Sequence, residues 1–262
     1  MKSSEIFDVT GMVAIVTGGA AGIGYAFAEA MADNGATVVL ADIRKVAAEE
    51  AAARLRVTGV EVEAIELDIA DPVQVRGFFD AQVKKRGRVD VVFANAGISA
   101  GPGFMTPGGS IEDIAIEGWK ASNAINLDGA FLTIQAAAKH MKVQRSGSII
   151  VTSSIAGCKT STLPGYAYHA AKAGIIHVAK LAARDLGPFN VRVNVIAPGS
   201  FITDIGGGHM REPEVMERLS KGIPLGRLGS PSELQGLALY LASNASLFVT
   251  GAVHTIDGGV TA

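Results

Sequence analysis

The sequence of 262 residues predicts an α/β fold, in which a doubly wound parallel sheet carries helices on both faces. Short apolar runs rich in β-branched residues alternate with alanine-rich helical segments along the whole chain. Only 18% of the residues are charged and 48% are apolar, as expected when strands are covered on both sides. No linker, repeat or low-complexity tract interrupts this pattern, so residues 1–262 are expected to form a single domain.

A glycine-rich loop joins the first predicted strand to the first predicted helix. Residues 12–16 read MVAIV, residues 17–24 read TGGAAGIG, and a helix then runs to Gly35. Such a loop lets a phosphate approach the backbone without meeting Cβ atoms, at the positive end of a helix. The spacing is GxxxGxG, whereas the common dinucleotide fingerprint is GxGxxG. The two patterns share a glycine-rich turn between a strand and a helix start. The alternative is a tight turn that binds no ligand.

The second predicted strand, Thr37–Ala41, ends on Asp42, eighteen residues after Gly24. In a βαβ nucleotide-binding unit, a carboxylate at this position receives the adenosine ribose hydroxyls. The alternative is an aspartate that caps the helix beginning near Lys45.

The alternation then continues to the end of the chain, with two irregular segments. Residues 98–118 are rich in glycine and proline and predict a long loop, and residues 200–222 predict a mobile flap over a ligand. The remaining elements are helices at 45–56, 72–85, 121–143, 166–186 and 231–242, and strands at 61–66, 89–94, 148–152, 191–196 and 253–256.

Residues 153–174 carry the densest set of chemically active side chains. Tyr168 and Lys172 are four residues apart, so a helix places them on one face. A cation about 4–6 Å away favours the phenolate, which predicts a lowered tyrosine pKa and a usable acid or base. Ser154, at the end of a predicted strand, is placed to hold a substrate oxygen beside the phenol. The alternative is an aromatic residue at a helix start and a solvated surface lysine.

Composition excludes several classes of protein. The net charge is −2 without a basic cluster, so we expect no nucleic-acid partner. Cys158 is the only cysteine, which favours a reducing compartment and a cytoplasmic location. Residues 9–28 are uncharged, but their five glycines cluster at the predicted turn, so we expect no membrane segment. The five histidines lack metal-ligand spacing, so we expect no catalytic metal.

These motifs, in this order, resemble those of the short-chain dehydrogenase/reductase family over essentially the whole chain. TGGAAGIG at 17–24 resembles the TGxxxGxG loop, residues 95–97 resemble NNAG, and residues 198–203 resemble the nicotinamide loop. The resemblance implies a Rossmann fold, NAD as cofactor, and the catalytic residues Asn126, Ser154, Tyr168 and Lys172. The cofactor-binding residues that it implies are Gly18, Gly22, Ile23, Gly24, Asp42, Asp68, Ile69, Asn95, Ala96, Gly97, Tyr168, Lys172, Pro198, Gly199, Phe201 and Thr203.

The implied reaction is hydride exchange between NAD and a secondary alcohol or ketone. Tyr168 would transfer the proton, Lys172 would lower its pKa and bind the nicotinamide ribose, and Asn126 would fix a water that links Lys172 to solvent. The chemistry of Asn126 by itself predicts a partner across a cavity or a satisfied core amide. The family also implies a homotetramer, built on helices at about 121–143 and 166–186.

The sequence departs from the family pattern at Ala94, which replaces the first asparagine of NNAG, and in the long 98–118 loop. The predicted pocket side chains are mainly apolar, which favours a neutral, largely apolar or cyclic substrate or a polyol. Two alternatives remain open: an NADPH-dependent 3-oxoacyl thioester reductase and a non-catalytic nucleotide-binding scaffold. The predicted pocket side chains are Ile98, Phe104, Met105, Leu163, Tyr166, Phe201 and Met210.

Overall fold

A computed structural model describes residues 2–99, 101–203, 208 and 211–262. These residues form a seven-stranded sheet in the order β3-β2-β1-β4-β5-β6-β7, with every neighbouring pair parallel. The order reverses between β1 and β4, where a sheet of this type opens a crevice at the carboxyl ends of its strands. The strands are β1 (Val13–Thr17), β2 (Thr37–Asp42), β3 (Val62–Glu66), β4 (Val91–Ala94), β5 (Gly147–Thr152), β6 (Val191–Pro198) and β7 (Val253–Ile256).

Helices cover both faces of the sheet, which confirms the predicted fold class. They are α1 (Ser3–Ile6), α2 (Gly22–Asp33), α3 (Lys45–Leu55), α4 (Pro72–Arg86), α5 (Ile116–Asn123), α6 (Ala130–Gln144), α7 (Tyr166–Leu186), α8 (Pro213–Ser220) and α9 (Gln235–Ala242).

The core has two halves because successive strand residues point to opposite faces. In β1, Ile15 packs on one side, while Ala14 and Val16 pack on the other. The first side is closed by α4, α6 and α7, and the second by α2, α3 and α9. On the second side Phe27 stacks on Phe93 with ring centroids 4.9 Å apart. The strands therefore read as continuous apolar runs, as the sequence shows.

One predicted helix is interrupted. The segment predicted as a helix over 121–143 consists of α5, a π-helical turn at Ala124–Gly129, and α6. The residues on either side have ordinary helical spacing, so the sequence pattern continues through the turn. The predicted helix over 231–242 similarly begins with a 3-10 turn, Pro231–Leu234, before α9.

The long loop after β4 packs against the chain that precedes α7. A Cβ atom on Gly103 would lie 1.9 Å from the carbonyl oxygen of Thr162, so the two backbones are in contact. Thr106 Oγ1 donates to the Gly103 carbonyl at 2.7 Å and holds the loop together. Of the predicted flap, α8 is described, whereas Met210 and two of its three glycines, Gly206 and Gly207, lie outside the described residues.

Candidate functional site

The glycine loop between β1 and α2 leaves backbone N–H groups available at a helix start. The residue before α2 is Ala21, which provides no side-chain cap for the first turn. Gly22 has φ +57°, and a Cβ atom on Gly24 would lie 2.2 Å from the carbonyl oxygen of Gly18. The loop therefore tolerates only glycine where it folds back on the helix. An uncapped, side-chain-free helix start fits the phosphates of a dinucleotide.

Asn95 joins three neighbouring strands where the sheet order reverses. Its Nδ2 donates to the Thr17 carbonyl at 3.1 Å, and its Oδ1 accepts from Thr152 Oγ1 at 3.1 Å. Thr17 Oγ1 in turn accepts from the backbone N–H groups of Asn95 and Ala96, at 3.0 and 3.2 Å. Asn95 thus bridges the strand ends despite Ala94, as expected from its amide. Thr17 and Thr152 were not among the predicted site residues, although both lie at strand ends beside a motif.

Asp42 lies at the end of β2 and is only 5% exposed. Its carboxylate accepts from the backbone N–H of Ala20 at 3.1 Å and from that of Arg44 at 3.0 Å. The Arg44 side chain also pairs with it, with Nε 3.2 Å from Oδ1. Asp42 therefore links β2 to the glycine loop, and it is not the cap of α3, whose preceding residue is Arg44.

Asp68 and Ile69 follow β3 at the same edge of the sheet. Asp68 Oδ1 accepts from the Ala70 N–H at 2.9 Å. Ile69 is 5% exposed, and a Cβ atom on Gly129 would lie 2.6 Å from its Cδ1 atom. The Ile69 side chain thus packs on the π-helical turn, and only its backbone can face a cofactor.

The Ser154 side chain lies beside the Tyr168 phenol and interacts with it. Ser154 caps the 3-10 turn Ile155–Gly157, where its Oγ accepts from the Ala156 N–H at 3.1 Å and keeps its own proton for donation. Burial raises the pKa of the Tyr168 phenol, and the interaction with Ser154 opposes this rise. The predicted lowering of the tyrosine pKa is therefore not seen in the protein alone.

The ammonium group of Lys172 lies near the Tyr168 ring. Its Nζ lies 5.5 Å from the centre of the Tyr168 ring and donates to the Thr152 carbonyl at 3.1 Å. The ammonium group thus lies over the ring face and is bound to a backbone oxygen, while the side chain is only 4% exposed. Burial lowers the pKa of Lys172 to about 8. Ser153 Oγ donates to the Lys172 carbonyl at 2.8 Å and fixes this part of α7 against β5.

Asn126 lies in the π-helical turn and is fully buried. Its Oδ1 accepts from the Ile98 N–H at 3.1 Å and its Nδ2 donates to the Ile98 carbonyl at 3.0 Å. Its side chain is therefore a satisfied amide that fixes the chain after β4. A Cβ atom on Gly97 would lie 2.8 Å from Asn126 Oδ1 and 3.4 Å from Lys172 Nζ, so Gly97 lies between these two groups. Single-turn π-helical insertions of this kind are frequent at functional sites.

The segment after β6 lies close to the glycine loop. A Cβ atom on Gly22 would be 3.5 Å from Thr203 Cγ2, and both residues line a cavity of about 360 Å³. Gly199 packs closely on Asp257, after Pro198 has ended β6. Phe201 is 6% exposed and its ring belongs to the core, so little of this predicted pocket side chain reaches the surface. Its ring lies against Gly229, which has no side chain to exclude it.

Most of the predicted pocket side chains are apolar and exposed. Ile98, Phe104, Met105, Leu163 and Tyr166 are between 37% and 73% exposed, on the loop after β4 and at the start of α7. Met210, the remaining predicted pocket residue, lies outside the described residues. The described part of the chain contains no group of three or more histidine, cysteine, aspartate or glutamate residues arranged to hold a metal. Within it, no helix combines the length and apolarity needed to cross a membrane.

Comparison with known proteins gives consistent results. A family model described as enoyl-(acyl carrier protein) reductase matches residues 18–261. A sorbose reductase of Candida albicans is 36% identical, over 98% of this chain and 89% of its own. A trans-4-hydroxycyclohexanecarboxylate dehydrogenase of Sinomonas cyclohexanicum is 38% identical, over 99% and 96%. A short-chain type dehydrogenase/reductase from Mycobacterium marinum superposes with a TM-score of 0.89 at 36% identity, covering 98% of each chain.

The sheet, the crevice at its carboxyl edge and these relatives define an oxidoreductase with a Rossmann-type sheet. The chain belongs to the short-chain dehydrogenase/reductase family. Members of this family bind a nicotinamide cofactor, either NAD(H) or NADP(H).

Proposed function

We propose that this protein transfers a hydride between NAD and a neutral secondary alcohol or ketone, with Tyr168 as the acid and base. The observation that carries the proposal is the placement of Ser154 and of the buried Lys172 ammonium group beside the Tyr168 phenol. When bound, the nicotinamide ring supplies the acceptor or donor of the hydride.

The residues around Tyr168 have distinct roles in this proposal. Ser154 donates its free proton to the substrate oxygen, because its oxygen already accepts from Ala156. In alcohol oxidation Tyr168 takes the hydroxyl proton, and in ketone reduction it returns that proton. Lys172 holds a positive charge near the phenol and binds the nicotinamide ribose. The Asn126 side chain is committed to Ile98, so we assign the contact with a relay water to its backbone carbonyl.

The cofactor residues are proposed on the same basis. The uncapped start of α2 and the glycine loop receive the pyrophosphate, and Asp42 receives the adenosine ribose. Because a carboxylate repels the 2′-phosphate of NADP, we propose NAD as the preferred cofactor. The remaining contacts are proposed for Asp68, Ile69, Asn95–Gly97, Pro198, Gly199, Phe201 and Thr203, with Ile69 and Phe201 acting through their backbone atoms.

The substrate class follows from the predicted pocket side chains. The five described side chains of the predicted pocket are exposed and carry no charge, which favours a neutral alcohol, either apolar and cyclic or a polyol. The relative named for sorbose supports a polyol, and the relative named for trans-4-hydroxycyclohexanecarboxylate supports a cyclic alcohol, although that compound also carries a carboxylate. Asp42 disfavours the alternative of an NADPH-dependent thioester reductase. The four converging residues disfavour a non-catalytic scaffold.

The assembly and the location are proposals as well. We propose a homotetramer in which α6 and α7 pair with their copies, since Phe131 and Leu181 on these helices are exposed. The cytoplasmic location rests on the single cysteine.

Tyr168→Phe tests the proposed chemistry. We expect kcat for oxidation of cyclic secondary alcohols to fall by roughly 10²–10⁴-fold, while the Kd of NAD stays nearly unchanged, because only the transferred proton is removed. Tyr240→Phe is the matched control, since Tyr240 lies on α9 and is not among the residues proposed for catalysis or binding. Retention of more than about a tenth of kcat in Tyr168→Phe would contradict the role of Tyr168.

A further inference from the structure

The carboxylate proposed to bind ribose is already fully hydrogen-bonded within the protein. Two backbone donors reach it, the N–H groups of Ala20 and Arg44. Two side-chain donors reach it as well, with Arg44 Nε 3.2 Å from Oδ1 and Arg44 Nη2 3.4 Å from Oδ2. A carboxylate offers about four acceptor positions, so these four donors fill the acceptor capacity of Asp42.

The backbone donors and the side-chain donors differ in how easily they are displaced. The backbone N–H groups are fixed, because Ala20 lies in the glycine loop and Arg44 directly precedes α3. The Arg44 side chain is 58% exposed, and among the described residues Asp42 is its only charged partner. Because the Arg44 side chain reaches solvent, it is more easily displaced from Asp42 than the two backbone donors are. The ribose diol brings two hydroxyl donors, which is the number that the guanidinium would give up.

We propose that Arg44 is a specificity-determining residue that competes with the adenosine ribose for Asp42 and serves a 2′-phosphate once it is displaced. This inference rests on the proposed cofactor function. To bind NAD, the ribose hydroxyls must replace the guanidinium on the carboxylate, so Arg44 weakens NAD binding. To bind NADP, the released guanidinium offers a planar pair of donors that matches a phosphate, so Arg44 offsets part of the repulsion from Asp42.

Arg44 therefore narrows a preference for NAD that Asp42 creates. The two residues act in opposite directions on the same ribose, although they are bonded to each other in the free protein.

The test measures binding of two nicotinamide-free fragments, ADP-ribose and 2′-phospho-ADP-ribose, by isothermal titration calorimetry. Arg44→Gln removes the charge and the planar fork but keeps a long polar side chain. We expect ADP-ribose to bind at least as tightly as to the wild type. We expect 2′-phospho-ADP-ribose to bind at least roughly tenfold more weakly, since a charge-assisted pair is lost. Arg44→Lys keeps the charge without the planar pair of donors, so its affinity for 2′-phospho-ADP-ribose should lie between those of the wild type and Arg44→Gln.

Lys84→Gln is the matched control. Lys84 is exposed in the last turn of α4, toward the amino ends of the strands, whereas Asp42 lies at a carboxyl end. Lys84→Gln makes the same change in net charge and should leave both affinities unchanged. Asp42→Asn provides a second background, in which Arg44→Gln should still weaken the phosphorylated fragment but should no longer favour ADP-ribose.

The ratio of the two Kd values, for ADP-ribose and for 2′-phospho-ADP-ribose, is the deciding quantity. If Arg44→Gln binds both fragments and this ratio stays within about twofold of the wild-type ratio, the role of Arg44 is overturned and the proposed function stays intact. If the wild type bound neither fragment, the proposed cofactor function would fail and this inference with it.

Discussion

Lys172 holds an ammonium group at a position where burial disfavours charge. Its side chain is 4% exposed and has a backbone carbonyl as partner, not a carboxylate. The proposed chemistry needs a cation beside Tyr168, whereas folding alone would favour a neutral side chain there. Residues kept for function at a cost in stability are common at active sites.

The pH dependence of stability should reveal this cost. The pKa of Lys172 is about 8 in the folded protein against the usual 10.5, so below pH 8 the buried charge destabilises the fold by about 3 kcal/mol. Between pH 8 and 10.5 the unfolded chain binds more protons, so this residue makes the free energy of unfolding rise with pH. We expect the stability of the wild type to gain up to about 3 kcal/mol relative to Lys172→Met across that window.

Urea denaturation at several pH values between 7 and 10.5 measures this difference. Lys180→Met is the control, because Lys180 is exposed on the same helix. Equal pH dependence in both variants would mean that Lys172 is not buried as described.

Gly97 tests how closely the site is packed. A Cβ atom there would lie 2.8 Å from Asn126 Oδ1, so the Asn126 amide must move in Gly97→Ala, and the same atom would contact Lys172 Nζ at 3.4 Å. Displacement of catalytic groups by about 1 Å can cost roughly 10²-fold in rate, so we expect a large fall in kcat with the fold retained. Gly118→Ala is the control, because nothing lies within 4 Å of its added Cβ atom. Steady-state kinetics gives kcat and thermal melting shows whether the fold is retained, for both variants. A wild-type kcat in Gly97→Ala would contradict the described packing.

At the scale of elements, α4 shows how local chemistry sets the limits of a helix. Asp71 caps its start by accepting from the N–H groups of Val73 and Gln74, and Pro72 occupies its first position. Gly87 ends it in a left-handed conformation with φ +76°. These signals are all local, which is why the predicted helix over 72–85 agrees with the structure within one residue.

Two glycines on this helix should respond oppositely to alanine. Gly77 lies inside α4 with open space around it, so Gly77→Ala should stabilise the protein by about 0.5–1 kcal/mol. Gly87→Ala should destabilise it by about 1 kcal/mol, because alanine is strained at a positive φ. Chemical denaturation measures both changes. A destabilising Gly77→Ala would show that this part of α4 is not an ordinary exposed helix.

The π-helical turn between α5 and α6 is the element that local signals do not predict. It places Asn126 beside Ile98 and positions Gly129 against Ile69. Both partners belong to segments that follow other strands, so the turn is stabilised by contacts that are distant in sequence.

At the scale of the whole molecule, the proposed tetramer concerns the outer faces of α6 and α7. Phe131 is 43% exposed and Leu181 is 67% exposed on these helices, and burial in a subunit interface would remove both from water. We expect light scattering at micromolar concentration to give the mass of four chains. The double variant Phe131→Ser with Leu181→Ser should give smaller species, whereas Val57→Ser, at a residue that is 84% exposed outside these helices, should not. A monomeric wild type would contradict the proposal.

Local sequence signals are enough to predict the order and type of nearly all the strands and helices and the location of the motifs. Apolar runs, helix caps and glycine punctuation are local, and parallel strands necessarily bring their carboxyl ends to one edge of the sheet. For that reason the sequence predicts that Asp42, at the end of β2, lies at the same edge of the sheet as Asn95 and Ser154, which follow β4 and β5.

How these residues contact one another depends on the tertiary structure. The bridge from Asn95 to Thr17 and Thr152 joins residues far apart in the chain, and so does the bond from Asn126 to Ile98. The direction of the Tyr168 pKa shift is also opposite to the prediction, because burial raises this pKa by more than the interaction with Ser154 lowers it. Distances across the crevice and the exclusion of water depend on the packing of the entire chain, which no local pattern encodes.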